Sequence, residues 1–395
     1  MTTRRAFLKI IGGGVVLAAA AGGVWATTRD PAAARAPWRT AGQGETDPRR
    51  HALSYALLAP NPHNRQPWLA DLSVDGEITL FCDLDRRLPE TDPFDRQISI
   101  GLGCFLELLR QAAAETGHRA ETSVFPEGEP QPRLDTRPVA RIRLVADAAV
   151  ERDPLFAHVL ARRSNKEPYD TTRPVDGALL ATIAAAARTG RVAWTNDSAR
   201  VADLSALGWE AMRTELFNPP TLKESADLMR IGKAEIEANP DGIDLSGPLL
   251  EGLAAIGLMS RAALLDPTSM VFRQQMPVLK EPFDTAMAFL WLATQGNGRA
   301  AQIAAGADHV RMNLAATGLG VAMQPFSQAL QEFPVMRPHY DAMRATLGIG
   351  EGRTLQMLVR LGYGPLTEGA PRWPLDTRVL GGDGGGRDDG NGQTG

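Results

Sequence analysis

Residues 60–68 read PNPHNRQPW, a run of turn-forming residues and side-chain amides that ends in a large aromatic residue. Asparagine and proline are typical of turns, so the run predicts a loop that leads into a strand, with Trp68 in the core. The amides of Asn64 and Gln66 are also groups that can bind a polar ligand. On its own, the run is therefore typical of either a plain turn or a binding loop.

Three further segments carry residue types that are found at cofactor sites. They are RRSNK at 162–166, GLG at 318–320 followed by QPFSQ at 324–328, and LGYGP at 361–365 followed by RWP at 372–374. Each has a plain structural interpretation, since paired arginines are typical of a solvated helix end and Gly-Leu-Gly of a helix C-terminus. Ser327 and Gln328 could cap a helix. Together with residues 60–68, however, the four segments resemble the flavin-dependent nitroreductase family over residues 48–380.

The resemblance implies an α+β fold, with a nitroreductase-like mixed sheet flanked by helices, and one bound flavin mononucleotide (FMN). At the phosphate end, Arg162 and Ser164 stand where the family binds phosphate or ribityl oxygens. Arg372 resembles the family's carboxy-terminal phosphate-binding arginine. Guanidinium groups suit this role because their hydrogen bonds to phosphate are charge-assisted.

At the ring end, the resemblance implies four polar contacts and one cation. Asn64 and Gln66 are similar to the residues that build the edge of the ring site, and the backbone N–H groups of Ser327 and Gln328 fall where the family bonds N5 and O4. Lys166 stands where a cation near N1 and O2 would favour the anionic reduced ring. The resemblance implies no proton-donating side chain, and the six histidines lack metal-ligand spacing.

Two departures from the family pattern concern the same site. Asn61-Pro62 replaces the small hydroxyl residues that usually follow the first proline, and Ala370 replaces a basic residue expected two places before Arg372. The second departure predicts a weaker phosphate site, unless another cation substitutes.

The order of the motifs is also unusual, and it predicts a fused dimer. Ordinary family members are homodimers in which the Arg-Ser motif comes first, whereas here residues 64–68 precede residues 162–166. A weak repeat at an offset of 203 residues aligns Gly103 with Gly306 and Gly117 with Gly320. We therefore expect two tandem related lobes, a degenerate one at 27–150 and a second at 151–380, which form a monomeric pseudo-dimer with one complete site.

A long segment at about 219–280 is rich in methionine and interrupted by proline. It is typical either of helical core or of a lid over a pocket, because long insertions often cover binding sites. The whole arrangement resembles the flavin-sequestering branch of the family known from mycobacteria, in which a lid covers the flavin. Residues 219–280 are the candidate lid.

Local patterns predict the other elements. Asp75-Gly76 predicts a hairpin, and apolar residues at helical spacing predict buried helices. Helices are expected at 51–58, 98–117, 179–187, 201–216 and 300–319, and strands at 69–74, 78–82, 141–145 and 355–363.

The two ends of the chain predict export and disorder. Arg4-Arg5 directly precedes an uncharged apolar run, so residues 1–26 resemble a twin-arginine export signal, with a membrane anchor as the alternative. Residues 27–48 are typical of a linker, and residues 381–395, mostly Gly and Asp, of a disordered tail. We expect a periplasmic protein, or one anchored on the outer side of the membrane.

Composition and missing motifs exclude several functions. The net charge of −4 offers no electrostatic footprint for nucleic acid, and two cysteines exclude a disulfide framework. No metalloprotease, serine-hydrolase or phosphate-loop motif is present. The sequence thus predicts an exported FMN oxidoreductase that uses NAD(P)H and a nitro or quinone-like acceptor. The alternatives are a protein that sequesters FMN without turnover and a partner-binding protein with a decayed site.

Overall fold

A computed structural model describes residues 29–257 and 259–381. The predicted export signal at residues 1–26 and the predicted tail beyond Gly381 lie outside the described residues. The helices are α1 Pro37–Thr40, α2 Pro48–Ala56, α3 Arg96–Glu115, α4 Gly177–Ala185, α5 Ser198–Phe217, α6 Pro219–Asp227, α7 Gly232–Ala238, α8 Pro248–Ala255, α9 Arg261–Leu265, α10 Met270–Asp284, α11 Arg299–Gly318 and α12 Arg337–Leu347. The strands are β1 Trp68–Asp71, β2 Glu77–Cys82, β3 His118–Val124, β4 Ala140–Ala146, β5 Arg191–Thr195, β6 Met229–Ile231, β7 Ile243–Leu245, β8 Ala288–Gln295, β9 Ala322–Pro325, β10 Arg353–Gly362 and β11 Val379–Leu380.

Two sheets form the cores of two lobes with one shared topology. The first sheet has the order β11–β1–β2–β4–β3, and it is mixed because β11 joins β1 in parallel while the other pairs are antiparallel. The second has the order β5–β8–β10–β9 and is antiparallel throughout. In each lobe a long helix joins the second strand to the third, and the fourth strand returns between them. The predicted α+β class is confirmed, and the shared strand order agrees with the predicted tandem lobes.

The two long helices, α3 and α11, cross in the middle of the molecule at a pair of glycines. A Cβ atom on Gly103 would lie 2.0 Å from the carbonyl oxygen of Ile303, and one on Gly306 would lie 1.9 Å from that of Ile100. Only glycine therefore lets the two backbones approach this closely. Ile100 packs in the core of the second lobe and Ile303 in that of the first, so the contacts are reciprocal at the predicted offset.

Buried arginines at the helix starts repeat this reciprocity. Arg96 in the first lobe donates hydrogen bonds to the carbonyl oxygens of Leu330 and Gln356 in the second lobe. Arg299, 203 residues further on, donates to those of Pro130 and Pro132 in the first lobe. Each long helix thus fixes its own lobe against the other.

The segment between β5 and β8 is where the lobes differ most. In the first lobe a short turn containing Gly76, with φ +70°, joins the equivalent strands β1 and β2, as the Asp-Gly pair predicted. In the second lobe this connection contains α5, which packs into the core, and then residues 219–284, here called the insertion. The insertion includes α6 to α10 and the two-stranded parallel sheet β6–β7. No helix in the described parts of the chain is long and apolar enough to span a membrane.

The segments near both ends of the chain pack differently from the prediction. Residues predicted as a linker contain Trp38, which is only 7% exposed and lies in the core of the first lobe. The last residues of the predicted second lobe return to the first, where Val379 and Leu380 pair with Ala70 and Asp71. Both segments therefore belong structurally with the first lobe, and the sequence hid this because their partners are hundreds of residues away.

A buried carboxyl group in α5 makes the stability of the second lobe depend on pH. Burial raises the pKa of Glu215 to about 7, while Gln331 donates a 3.1 Å hydrogen bond to Oε2. Because the folded pKa exceeds the unfolded one, this contribution to stability is complete below about pH 4.5 and is lost as the pH rises through 7. The measured quantity is the unfolding free energy of Glu215→Gln minus that of the wild type. We expect this difference to be more favourable to the variant at pH 8 than at pH 5, by about 3 kcal/mol.

Urea unfolding at pH 5 and pH 8 measures this difference. Glu210→Gln, at an exposed position of the same helix, is the matched control and should follow the wild type. Parallel pH profiles for Glu215→Gln and the wild type would contradict the expectation.

Candidate functional site

The loop at residues 60–68 is held in a strained backbone conformation. His63, Asn64 and Gln66 have φ angles of +47°, +51° and +52°. Left-handed conformations are costly for residues other than glycine, and they concentrate at functional sites. Only two other non-glycine residues in the described parts of the chain, Asp95 and Phe125, share this conformation. The loop is therefore the first candidate for a site.

Gln66 holds this loop against two distant segments. Its side chain is fully buried, Oε1 accepts a 2.9 Å hydrogen bond from the backbone N–H of Trp373, and Nε2 donates a 2.8 Å hydrogen bond to the carbonyl oxygen of Pro240. Its own backbone N–H donates to Oδ1 of Asn61 at 2.7 Å. In this structure Gln66 joins the loop, the carboxy-terminal segment and the insertion.

Arg162 and Arg372 meet beside the loop at one backbone carbonyl. Both guanidinium groups donate to the carbonyl oxygen of Leu58, at 2.6 and 3.2 Å. Arg372 also donates to Oδ1 of Asn64 at 2.5 Å, and Arg162 to Oδ1 of Asn313 at 3.1 Å. Four residues expected at the site from sequence, Asn64, Gln66, Arg162 and Arg372, thus come together although they lie far apart in the chain.

This cluster carries positive charge without a matching carboxylate. Within the described residues, no Asp or Glu side chain lies within ion-pair distance of Arg162, Arg163 or Arg372. Burial lowers the pKa of Arg162 to about 10, and it lowers the pKa of Arg372, with Arg162 and Arg163 acting in the same direction. Burying unpaired cations is unfavourable, so the cluster is suited to an anion that enters among the guanidinium groups.

Lys166 lies further along the same segment. Its side chain is exposed to solvent, yet the surrounding protein lowers its pKa. Burial lowers the pKa of His63 to about 4, and the positive charges of Lys166 and Arg65 act in the same direction. The imidazole is therefore neutral at pH 7. Asp244, from the insertion, acts on Lys166 in the opposite direction.

Two polar atoms near Lys166 have no partner within the described residues. Nδ1 of His63 and Oδ1 of Asp244 are both buried without a hydrogen bond, and so is Nε of Arg162 in the neighbouring cluster. Buried polar groups are almost always hydrogen-bonded in folded proteins. Three such atoms around one region indicate a site for a polar ligand.

Within the described residues, the side chains of Ser164, Ser327 and Gln328 form no hydrogen bond with the arginine cluster. Ser164 is half-buried, and the next residue, Asn165, donates its backbone N–H to the carbonyl oxygen of Met323 in β9. Ser327 and Gln328 follow the end of β9 and are also half-buried. Within residues 29–257 and 259–381, their backbone N–H groups donate no hydrogen bond. The Arg-Ser segment therefore contacts strand β9, and the Ser-Gln segment follows the end of that strand.

Sequence reasoning missed several residues at the site. Asn313 on α11 and Asp244 in the insertion carried no recognisable local signal. Trp38 had one, since it is the only large aromatic residue in a stretch otherwise rich in Ala, Pro and Gly. His63 belongs to the quoted loop but was not assigned a role. No group of three His, Cys, Asp or Glu side chains that could hold a metal ion occurs among the described residues.

Comparisons with known proteins give relatives that cover most of this chain. Two Mycobacterium tuberculosis proteins share the name "Putative NAD(P)H nitroreductase", one with the suffix Rv3131 and the other acg. The first is 29% identical over 320 residues, which cover 80% of this chain and 85% of the relative. The second is 29% identical over 350 residues, or 84% and 95%. This chain is similar to nitroreductase-type proteins over most of its length. No protein-family model matches it.

Solved structures give more distant matches. A nitroreductase with bound FMN from Bacteroides fragilis is 16% identical, covers 54% of this chain and 89% of its own, and has a TM-score of 0.32. The FMN-dependent nitroreductase NfnB from Mycobacterium smegmatis, solved with NADPH, is 20% identical, covers 55% and 92%, and has a TM-score of 0.33. Each corresponds to about half of this chain.

Proposed function

We propose that this protein is an FMN-dependent oxidoreductase of the nitroreductase type that binds one FMN within a single chain. The observation that carries the proposal is the cluster of buried Arg162 and Arg372 with half-buried Arg163, which adjoins the strained loop of His63 and Asn64 and forms no ion pair within the described residues. Similarity to two mycobacterial proteins over most of the chain supports it.

The residues of the cluster fit the phosphate of FMN. Arg162 has a buried Nε atom without a partner in the described residues, and guanidinium groups form strong, charge-assisted hydrogen bonds with phosphate. The donors of Arg372 are on backbone carbonyls and Asn64, so Arg372 contributes mainly positive charge and holds Asn64 in place. When bound, FMN supplies hydride and electron transfer. Lys166 would stabilise negative charge on the ring, and His63 would stay neutral beside it.

We also propose that the two lobes mimic a dimer. The reciprocal contacts of Gly103 with Ile303 and of Gly306 with Ile100 support an internal two-fold relation. The first lobe supplies Asn64, and the second supplies Arg162. One chain then holds one complete site, and we expect a monomer.

The proposed reaction takes electrons from NADH or NADPH to a nitro or quinone-like acceptor. Both cofactors are scarce outside the cytoplasm, and the sequence of residues 1–26 leads us to propose export by the twin-arginine route, to the periplasm or to the outer side of the membrane. That combination makes sequestration of FMN without turnover a second candidate.

A specific contact favours the second candidate. Asp241 in the insertion forms ion pairs with Arg86 at 2.5 Å, Arg230 at 2.8 Å and Arg65 at 3.5 Å, and it is almost fully buried. Next to it, Pro240 accepts the hydrogen bond from Gln66. The insertion is thus bound to the strained loop through an ion pair and a hydrogen bond. A lid that retains a bound flavin would need contacts of this kind.

A visible absorbance spectrum followed by an anaerobic titration separates these functions. Purified full-length protein is expected to be yellow, to contain one FMN per chain, and to lose its flavin absorbance on anaerobic NADPH and regain it on a quinone or nitroaromatic. Bound FMN that NADPH does not bleach would select sequestration. Protein without flavin, even after incubation with FMN, would reject both and favour a partner-binding protein with a decayed site.

A further inference from the structure

Residues 29–41, here called the strap, run from the insertion to the arginine cluster. At the insertion, Arg35 donates a 2.9 Å hydrogen bond to Oδ2 of Asp244 and a 3.3 Å one to Oγ of Ser246. Lys233 in α7 donates to the backbone carbonyl of Asp30 at 2.9 Å. The strap therefore bonds both strand β7 and the neighbouring helix of the insertion.

The other end of the strap is fixed on the arginine cluster through Trp38. The guanidinium carbons of Arg163, Arg372 and Arg162 lie 4.6, 5.4 and 5.5 Å from its ring centroid, within the range of cation–π attraction. Its Nε1 donates a 2.8 Å hydrogen bond to the carbonyl oxygen of Ala370. The indole thus contacts three guanidinium groups, none of which forms an ion pair within the described residues.

The backbone around Trp38 is shaped to receive the strap. The backbone N–H of Arg372 donates to the carbonyl oxygen of Ala34 at 2.8 Å. A Cβ atom on Gly369 would lie 2.6 Å from Nε1 of Trp38, so a side chain at that position would displace the indole. Both ends of the strap are thus seated by specific contacts.

We propose that the strap is a latch that holds the insertion closed and, where FMN is bound as proposed above, limits how fast FMN enters and leaves. Arg35 connects the two parts, together with the hydrogen bond from Lys233 to Asp30 and the 3.5 Å ion pair of Arg29 with Glu251 in α8. Its side chain and that of Asp244 are 12% and 20% exposed, so their ion pair is only weakly screened by solvent. Oδ1 of Asp244 already lacks a partner, and losing Arg35 leaves its other oxygen without this cation. Without Arg35, the partly buried carboxylate of Asp244 destabilises the closed conformation of the insertion. We therefore expect the open conformation to be more populated than in the wild type.

Hydrogen–deuterium exchange on the flavin-free full-length chain tests the latch directly. Arg35→Ala is expected to raise exchange of the backbone amides at residues 229–251 about tenfold, since hydrogen bonds between charged groups are lost. Arg39→Ala is the matched control, because Arg39 lies in the same strap, is exposed, and its side chain bonds only the carbonyl oxygen of Ala32. Exchange in α3 and α11 should not change in either variant.

A second variant guards against a general loss of stability. Asp244→Asn breaks the same ion pair from the other side, so it should raise exchange in residues 229–251 alone, and the double variant should add little to either single one. If Arg35→Ala exchanges like Arg39→Ala in this region, the latch is wrong.

Release of FMN tests the second half of the proposal. Loaded protein mixed with an excess of an FMN-binding apoprotein should release flavin about tenfold faster in Arg35→Ala and Trp38→Ala than in Arg39→Ala. If amide exchange in residues 229–251 is faster but the rate of FMN release is unchanged, the strap does not control how fast FMN leaves. If no variant binds FMN, the proposed function fails, and the exchange experiment still decides whether the latch exists.

Discussion

Replacing Arg372 with methionine is expected to weaken FMN binding by about 1.5–3 kcal/mol and to lower the free energy of unfolding by about 3 kcal/mol. The guanidinium of Arg372 is 3% exposed and donates to the carbonyl oxygens of Leu57, Leu58 and Ala59 and to Oδ1 of Asn64. Methionine fills a similar volume but donates nothing, so the carbonyl oxygen of Leu57 and Oδ1 of Asn64 lose their donor. The carbonyl oxygens of Leu58 and Ala59 keep a second donor, from Arg162 and Asn61.

Two opposing effects decide the size of this change. Burial of the unpaired Arg372 guanidinium carries a desolvation cost, and the same burial lowers its pKa. Replacing Arg372 with methionine removes this cost. Each acceptor left without a donor costs about 1–3 kcal/mol, however, and two are left, the carbonyl oxygen of Leu57 and Oδ1 of Asn64. Because the acceptors outnumber the single charge, we expect a net loss of stability as well as of affinity.

Two further variants separate binding from folding. Arg372→Lys keeps the charge but cannot serve all the acceptors, so it should lose stability and keep more FMN affinity than Arg372→Met. Arg378→Met, on the same carboxy-terminal segment, breaks an ion pair with Asp83 outside the cluster and should leave FMN affinity unchanged. Fluorescence titration with FMN and urea unfolding measure both quantities. A folded Arg372→Met protein with wild-type FMN affinity would remove the phosphate assignment.

The long helices were predictable from sequence because their signal is local. Apolar residues at helical spacing placed helices at 98–117 and 300–319, and the structure has them at Arg96–Glu115 and Arg299–Gly318. The glycine pattern at an offset of 203 residues also had a local origin, since a close helix crossing at Gly103 and Gly306 requires glycine on both sides. The pattern did not predict which residue of the opposite helix each glycine contacts, namely Ile303 for Gly103 and Ile100 for Gly306.

Two of the strands that the sequence analysis did not predict, β8 and β3, were missed for opposite reasons. Strand β8 reads AFLWLATQ, and all its residues but the last are buried, so it lacks the alternation that marks a half-buried strand. Strand β3 reads HRAETSV and is mostly exposed, so it carries no apolar signal at all. Its place in the sheet depends on pairing with β4, a contact that local sequence does not encode.

The site was predictable in its residue types but not in its connections. The motif residues Asn64, Arg162 and Arg372 do come together, as the resemblance implied. The role of Trp38 depends on a hydrogen bond to Ala370, which lies 332 residues away in the chain. A contact of that kind follows from the packing of two lobes, and no composition or spacing rule predicts it.

Replacing Gly306 with alanine is expected to lower the free energy of unfolding by about 1–3 kcal/mol or more, although alanine is the better helix former. Alanine gains about 1 kcal/mol of helix propensity over glycine. Its Cβ, however, would lie 1.9 Å from the carbonyl oxygen of Ile100, and backbone cannot move aside as a flexible side chain can. Relief requires the two central helices to separate, and overpacking of this kind costs about 1–3 kcal/mol or more beyond the propensity gain.

Gly103→Ala makes the same test from the other helix. Its Cβ would lie 2.0 Å from the carbonyl oxygen of Ile303, which is the counterpart of Ile100 at the offset of 203 residues. If the lobes are related as a fused dimer, the two substitutions should cost similar amounts in urea unfolding. Gly350→Ala, with open space around its Cβ position and no left-handed backbone, is the control and should change little. A gain in stability at Gly306 would mean that the helices can part freely, and unequal costs would mean that the two halves do not meet as equivalents.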